Sequence, residues 1–342
     1  PVINVPAVVR SRARAVGAEA WLERLPSLVS SLEADWFIAV GRPYEGGSAA
    51  FVAEATRADG TPAVLKLVVP GPGIDPASEA TVLRRFAVAG LEEAARGSGR
   101  RRALVIGALD ETGQEKAGIA TAGVQRQYLG CAGKLANGIN TVHLAYVHEH
   151  AGHALIGARQ WIPAACIEDP AKSLVTGLPL DLRFRTKGQL AIDIATEALA
   201  DGITFDFFCG DEVYGNCTEL RQFFEACGQA YVLRVPRTFR LTLPGNRGLT
   251  CADAAGMLAR RKWPEVRSAG KGSKGERWYA WSWLATASPQ HCLLIRRHLR
   301  TSELAFHYCF VPQSQALTLT RLIRSAGLRW PVDRPGDRPP DH

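Results

Sequence analysis

The chain has 342 residues, 46% of them hydrophobic, which is ordinary for globular protein and long enough for two domains with cores of their own. No apolar run reaches bilayer-spanning length, and the opening "PVINVPAVVRSRARAVG" lacks the apolar core of a signal peptide, so the expectation is a cytoplasmic protein without a membrane partner. A net charge of +8 fits a polyanion partner, and equally fits a solvated basic face.

In chain order, "EAWLERLPSLVSSLEADW" (19–36) has helical periodicity. "SAAFVAEATR" and "PAVLKLVV" predict strands joined by the Asp-Gly turn of "ADGT", and "SEATVLRRFAVAG" predicts a helix ending at Gly90. The character changes near residue 92, across "LEEAARGSGRRR", so residues 1–92 and 93–342 are expected as separate domains. The chain begins without Met, as a fragment would.

Beyond the junction, "ALVIGALD" predicts a buried strand ending at Asp110. "GIATAGVQRQYLG", "INTVHLAYVHEH" and "HALIGARQWIP" predict three more strands, the last two as a hairpin. Helix 188–202, strand "TFDFFCGD", helix "CTELRQFFEACG" and strand "AYVLRVP" then alternate, an α/β plan with a mixed sheet. Residues 239–313 are strand-rich and basic, "LTLTRLIRSAGLRW" predicts a helix, and "PVDRPGDRPPDH" is too rich in Pro and charge to fold alone. Eight cysteines contain no C-x-x-C pair, and "HEHAGH" (148–153) reads as a polar hairpin turn rather than a metal site. Most of the cysteines are expected as small buried side chains.

Lys66 falls on a predicted strand and Glu79 opens the next helix. A phosphotransferase uses a strand lysine to grip nucleotide phosphates and a helix carboxylate to hold it, although two exposed charges give the same pattern. "WLERLPSLVSSLEADW", "GGSAAFVAEATRADGTPAVLKLVVP" and "SEATVLRRFAVAG" resemble the N-lobe of aminoglycoside and hydroxyurea antibiotic-resistance kinases, over about residues 5–90. The resemblance implies a small α+β kinase N-lobe-like fragment with Lys66 and Glu79 as its nucleotide-binding pair.

"FFCGDEVYGN" (207–216) has two readings. In a small-molecule kinase Asp211 would take the substrate proton and Asn216 would hold magnesium. That chemistry needs another aspartate soon after, and the next is Asp253, beyond a helix and a strand. The kinase reading fails there. Metal-assisted phosphodiester chemistry asks instead for carboxylates on adjacent rigid elements, because divalent ions bracket the scissile phosphate and take hard oxygen ligands. Asp110 and Asp211, each ending a predicted strand, have that placement, which chance also produces.

The stretches "LDETGQEKAG", "GVQRQYLGCAGKLANG", "GHALIGARQWIP", "FRTKGQLA", "CGDEVYG", "AYVLRVP", "SAGKGSKGERWYAW" and "AGLRWPV" resemble, in order, DDE transposases of bacterial insertion sequences, the insertion-sequence 701 type. The resemblance runs from about residue 100 to Val332. It implies an RNase H-like mixed sheet with residues 239–313 as a strand-rich insertion. It implies Asp110 and Asp211 as the first two catalytic, metal-binding carboxylates, with Mg2+ or Mn2+ as cofactor. Double-stranded DNA at insertion-sequence ends is the implied partner, and a homodimer is compatible with it. Arg329 matches the arginine before the last acid, and Asp333 falls where the family has its catalytic and metal-binding glutamate. Asp is one methylene shorter, and Pro335 cannot continue a helix interior. A truncated transposase with impaired DNA cleavage and strand transfer is therefore expected. The alternatives are a non-catalytic DNA-binding remnant and an inactive phosphotransferase fragment.

Lys271, Lys274 and Arg277 in "GKGSKGERW" are the DNA-backbone candidates, because Gly-spaced cations approach phosphates closely. Glu111 and Glu212 are expected outside the ligand set, and Trp278 and Trp281 in the core. Arg126 and Tyr128, expected beside the first aspartate, either contact phosphate or pack. Lys187 suits phosphate at a helix N-terminus, or is surface decoration.

Overall fold

Two helices, α1 (Ala7–Ala15) and α2 (Glu19–Trp36), precede a three-stranded antiparallel sheet in the order β1 (Ile38–Pro43), β2 (Ala50–Arg57), β3 (Pro62–Val68). The computed structural model describes residues 3–45, 50–71, 76–96, 103–118, 121–130, 132–179, 181–258, 263, 265–267 and 278–329. Its contacts divide the chain into two units, Pro1–Val82 and Leu83–His342. In the first, Val9, Ala13, Leu25 and Val29 of the helices bury Phe51, Ala53 and Leu65 of the sheet. The predicted turn between β2 and β3 forms, with Gly60 at φ +82 and Asp59 accepting the Thr61 N–H at 2.9 Å. Lys66 lies on β3 opposite Val52 and is exposed. Glu79 lies on α3 (Pro76–Arg96), its side chain outside the described residues.

Helix α3 does not stop at Gly90 but runs to Arg96. The residues after Gly90, "LEEAAR", are strong helix formers, and they outweigh the roughly 1 kcal/mol that an internal glycine costs. From Leu83 onward α3 belongs to the second unit, where Arg84 is 7% exposed and donates to the Ile156 carbonyl at 2.6 Å. Asp201 and Glu197 complete its ion pairs.

The second unit continues with β4 (Val105–Glu115), β5 (Gln125–Leu129), β6 (Lys134–His148), β7 (Gly152–Trp161), α4 (Ala164–Ile167), α5 (Pro170–Val175), α6 (Lys187–Ala200) and β8 (Phe207–Gly210). Then come α7 (Glu212–Gly215), α8 (Thr218–Ala226), β9 (Tyr231–Val235), β10 (Arg240–Leu243), β11 (Arg247–Thr250) and α9 (Cys251–Met257). It closes with β12 (Glu265–Arg267), β13 (Trp278–Ala285), β14 (His291–His298), β15 (Leu304–Phe310) and α10 (Leu319–Leu328). Among the described residues, ten strands form one mixed sheet in the order β12-β13-β14-β15-β9-β8-β4-β6-β5, with β7 also on β6. Strands β4, β8 and β9 run parallel, and their other neighbours are antiparallel. This large mixed sheet is consistent with an RNase H-like nuclease fold. The strand-rich stretch 239–313 divides: β10 and β11 pair by themselves, while β13, β14 and β15 extend the central sheet from β9.

Alternation sorts each strand's side chains between two cores. On one face Leu109, Leu144, Phe208 and Leu233 meet Ile194 of α6 and Leu220 and Phe224 of α8. On the other, Ile106, Ala108, Phe207, Cys209 and Val232 meet Leu322, Ile323 and Ala326 of α10. Each fully buried Phe or Leu contributes about 1.5–3 kcal/mol. Cys209, Cys292 and Cys309 are indeed small buried side chains of this second core, whereas Cys227 is exposed. No helix among the described residues is long and apolar enough to cross a membrane.

Glu149, in the β6–β7 turn, fixes α10 against the sheet: it accepts the Leu104 N–H at 3.0 Å and the Arg324 Nε–H at 2.9 Å. Burial works to raise its pKa, but the Arg324 and Leu104 hydrogen bonds prevail and hold it below the ordinary value. A depressed folded-state pKa gives stability that is present above the unfolded value and lost as pH falls through the folded one. Glu149→Gln is therefore expected to lower stability by about 1–3 kcal/mol at pH 7. In urea unfolding, the difference from the parent chain should close as pH drops below about 4.3. A difference that persisted unchanged at pH 3 would exclude this ion pair as its source.

Candidate active site

Strand β8 pairs with β4 in parallel, Ile106 with Phe207, Gly107 with Phe208 and Ala108 with Cys209. Gly107 is required by the close approach, since a Cβ there would stand 2.7 Å from the Phe208 ring. Two residues further on, the same register brings Asp110 level with Asp211. Both aspartates follow the alternation of Ile106, Ala108, Phe207 and Cys209, so they share the face that α10 covers.

Asp211 directly follows its strand as expected, with extended φ −82 and ψ −166, and caps α7 by accepting the Val213 N–H at 2.9 Å. Asp110 does not end its strand. β4 continues to Glu115 because the fifteen-residue β6 keeps pairing with it as far as Gly138.

The surroundings tie the two carboxylates to their supports. The buried Tyr214 hydroxyl donates to the Asp110 carbonyl at 2.9 Å, joining α7 to β4. Asp110 Oδ1 accepts the Glu111 N–H at 2.9 Å, and Arg329, the C-cap of α10, brings Nη1 to 3.4 Å from Asp110 Oδ2. Burial pushes the Asp211 pKa up. The Val213 N–H and Arg329 oppose that rise, while the neighbouring Asp110 and Glu111 charges add to it.

The level of the aspartates continues across the sheet. His143 of β6 lies opposite Asp110, with Nε2 2.6 Å from the Thr112 hydroxyl. Burial holds its pKa below the ordinary value, against the pull of Asp110 and Glu111. On the other side, the pairing of Gly210 with Leu233 brings Arg234 level with Asp211, and Arg234 pairs with His307 of β15. One transverse row therefore reads His143, Asp110, Asp211, Arg234, His307.

Two adjacent carboxylates on one face suit a divalent cation. They supply hard oxygen ligands, and the like charge that adds to burial in raising the Asp211 pKa is charge a dication neutralises. Among the described residues no cationic side chain forms an ion pair with Asp211, and no three His, Cys, Asp or Glu converge to hold a metal by themselves. The donor set thus fits a cation with two protein carboxylates. Asp333, the expected third acid, lies outside the described residues, as do Lys271, Lys274 and Arg277.

The other candidates fall in distinct places. Glu111 points away from the aspartates by alternation and pairs with Lys187. Lys187 begins α6, beside a capping box of Thr186 and Gln189, and its ammonium lies 5.3 Å from the centre of the Trp161 ring, so it is not loose surface decoration. Glu212 pairs with Arg234 at 3.1 Å. Arg126 and Tyr128 are exposed on β5, which β6 separates from β4, so they are not on a strand beside Asp110. Trp281 is core, at 1% exposure, and the Trp278 side chain lies outside the described residues. Sequence reasoning passed over His143, Tyr214, Arg234 and His307. For His143, Arg234 and His307 the one signal is a lone polar residue inside an apolar stretch, as in "AYVLRVP" and "LAFHYCF"; Tyr214 lies in the polar "CGDEVYGN" and has no such signal.

A parallel-stranded core with two level aspartates and an arginine at the end of a helix on the same face is compatible with metal-assisted phosphoryl transfer. The family model described as DDE superfamily endonuclease matches residues 73–281, and the chain belongs to that family. No curated protein matches the chain.

Proposed function

We propose that this DDE superfamily endonuclease is a transposase of the insertion-sequence 701 type, cleaving and joining DNA at the ends of an insertion sequence. The observation that carries the reading is the level placement of Asp110 and Asp211 on adjacent parallel strands, with α10 delivering Arg329 to the same face. Asp110 and Asp211 would hold Mg2+ or Mn2+, which supplies charge neutralisation at the scissile phosphate and a more acidic attacking water. Tyr214 and the Val213 N–H fix the two aspartates, and Arg329 balances their charge while DNA is absent. Asp333 is assigned as the third acid, four residues after Arg329. An aspartate is one methylene shorter than the family's glutamate, and Pro335 follows it in the sequence, so weak cleavage by this chain is expected. Magnesium-dependent nicking of supercoiled plasmid tests the reading. Nicking that is lost in Asp211→Ala supports it, and equal nicking by the variant contradicts it.

Lys271, Lys274 and Arg277 are proposed to hold the DNA backbone. If about four phosphates are neutralised in all, log K should fall with log salt at a slope of roughly −3 to −4. Charge reversal of the three together should flatten that slope. An unchanged slope and affinity would leave the stretch as a solvated face.

For the N-terminal unit we propose descent from a resistance-kinase N-lobe. Three antiparallel strands, with Lys66 on the third, lead into a helix carrying Glu79, which supports that descent. An N-lobe supplies neither catalytic base nor metal ligands. Labelled ATP with streptomycin should give no phosphoryl transfer above background, whereas turnover lost in Lys66→Ala would overturn this.

A further inference from the structure

Beyond Asp211, the sheet face that carries the aspartates becomes a cluster of nitrogen donors. Arg234 on β9 stands level with Asp211, one strand spacing of about 4.8 Å away. His307 on β15 is its cross-strand partner. Arg296 on β14 and Trp281 on β13 form the next cross-strand pair of the same face, and the Trp281 and His307 rings are 6.2 Å apart. The Arg296 guanidinium lies over the Tyr279 ring at 4.4 Å, which holds its plane.

Two of these side chains are buried with a nitrogen unsatisfied. Trp281 is 1% exposed and His307 8%, and among the described residues neither Trp281 Nε1 nor His307 Nδ1 has a hydrogen-bond partner. Buried polar groups are ordinarily paired, because an orphan has given up its water without a replacement. The indole N–H can only donate, so the missing partner is an acceptor. Its surroundings fix the sign of that acceptor. Burial first, and then the positive charges of Arg296, Arg234 and Arg329, hold the His307 pKa well below the ordinary value against a backbone hydrogen bond with Leu294, so the charge felt at this ring is positive. Glu212, paired with Arg234 at 3.1 Å, cannot use all five donors of a guanidinium.

We propose that Arg234, Trp281, Arg296 and His307 form an anion site for a backbone phosphate of the DNA strand, flanking the phosphate presented to Asp110 and Asp211. This rests on the reading of the chain as a DNA phosphoryl-transfer protein. It deepens that reading by placing the strand: it leaves the aspartates toward β9 and β14, across the sheet, rather than toward His143. Arg234 and Arg296 supply charge, and Trp281 and His307 supply directional hydrogen bonds that fix the phosphate's position. All four are positioning residues.

The test is fluorescence anisotropy of the full chain with a labelled duplex oligonucleotide in EDTA, over a range of salt. The double variant Arg234→Gln with Arg296→Gln should make the log K against log salt slope shallower by about 0.9, the value for one phosphate contact. The corresponding double Lys variant should keep the parent slope, because it keeps the charge. Trp281→Phe should lower affinity several-fold with no change in slope, and it carries the test if the Gln variant does not fold. Equal weakening by Gln and Lys would mark a structural role and overturn the site. So would a Trp281→Phe chain that binds as the parent does. Failure of the parent chain to bind duplex DNA at all would overturn the DNA reading together with the site, whereas parent binding with unaltered variants overturns the site alone.

Discussion

A chain in which residues 333–342 are replaced by a helix opening with glutamate is expected to nick plasmid DNA with Mg2+ well above the parent, and Asp110→Ala or Asp211→Ala in that background to abolish the gain. Two carboxylates can hold one divalent ion loosely, but a pair of ions about 4 Å apart needs a further acid to fix the second. Asp110 stands on β4 and Asp211 directly follows the paired β8, and Tyr214 and the Val213 N–H brace them, so the fold holds the two proposed ligands in place. A glutamate four residues after Arg329 on a continuing helix would come one turn beyond the Asp110 ion pair, on the same side of the helix. Loss of either aspartate should cost at least about a hundredfold, since even the outer partners of metal ligands are worth about 10–100-fold. Asp333→Glu alone should recover little, because Pro335 remains in the sequence and proline is not tolerated in a helix interior. Nicking that survived Asp110→Ala in the grafted chain would remove Asp110 from the site.

Gly215→Ala is expected to be the most damaging single-methyl addition near the site. Gly215 ends α7, and a Cβ there would run into the Arg234 carbonyl, lying 2.7 Å from its carbon and 3.1 Å from Val235 Cγ1. The obstacle is the backbone of β9, which cannot rotate aside as a side chain can. Relief requires α7 to lift, and α7 carries both the cap on Asp211 and the Tyr214 hydroxyl on Asp110. Overpacking a rigid core costs about 1–3 kcal/mol, and against main chain the upper end applies. A fall in Tm of roughly 6 °C or more is expected. Gly256→Ala in α9, where a Cβ meets nothing within 4 Å, is the control and should be neutral or slightly stabilising. Equal behaviour of the two variants would contradict the packing of α7 on β9.

Much of the fold was legible because its signals are local. The helix at 19–36, the Asp-Gly hairpin, the helix beginning near 188 and the short strand before Asp211 follow from periodicity and turn residues. Strand length was less legible. Nothing in "ALVIGALD" tells that β4 runs past Asp110 to Glu115, because the extension depends on β6, whose pairing is a non-local event. The same cause misplaced Arg126 and Tyr128, since strand order is set by partners and not by sequence order. At the site, the two aspartates were visible as acids ending apolar runs. Arg234 and His307 were not, because one charge inside an apolar strand looks alike whether it faces solvent, a partner or a ligand. Only the register across β8, β9 and β15 places them beside Asp211.

The central claim is that Asp110 and Asp211 together hold a divalent cation. Mn2+ titration followed by electron paramagnetic resonance tests it most directly, because the ion reports its own binding without DNA or turnover. The parent chain should bind Mn2+, and the isosteric double variant Asp110→Asn with Asp211→Asn should lose that binding while staying folded by circular dichroism; relief of the two crowded like charges and loss of the Arg329 ion pair act on its Tm in opposite directions. Mn2+ binding of unchanged affinity and stoichiometry in the double variant would contradict the account.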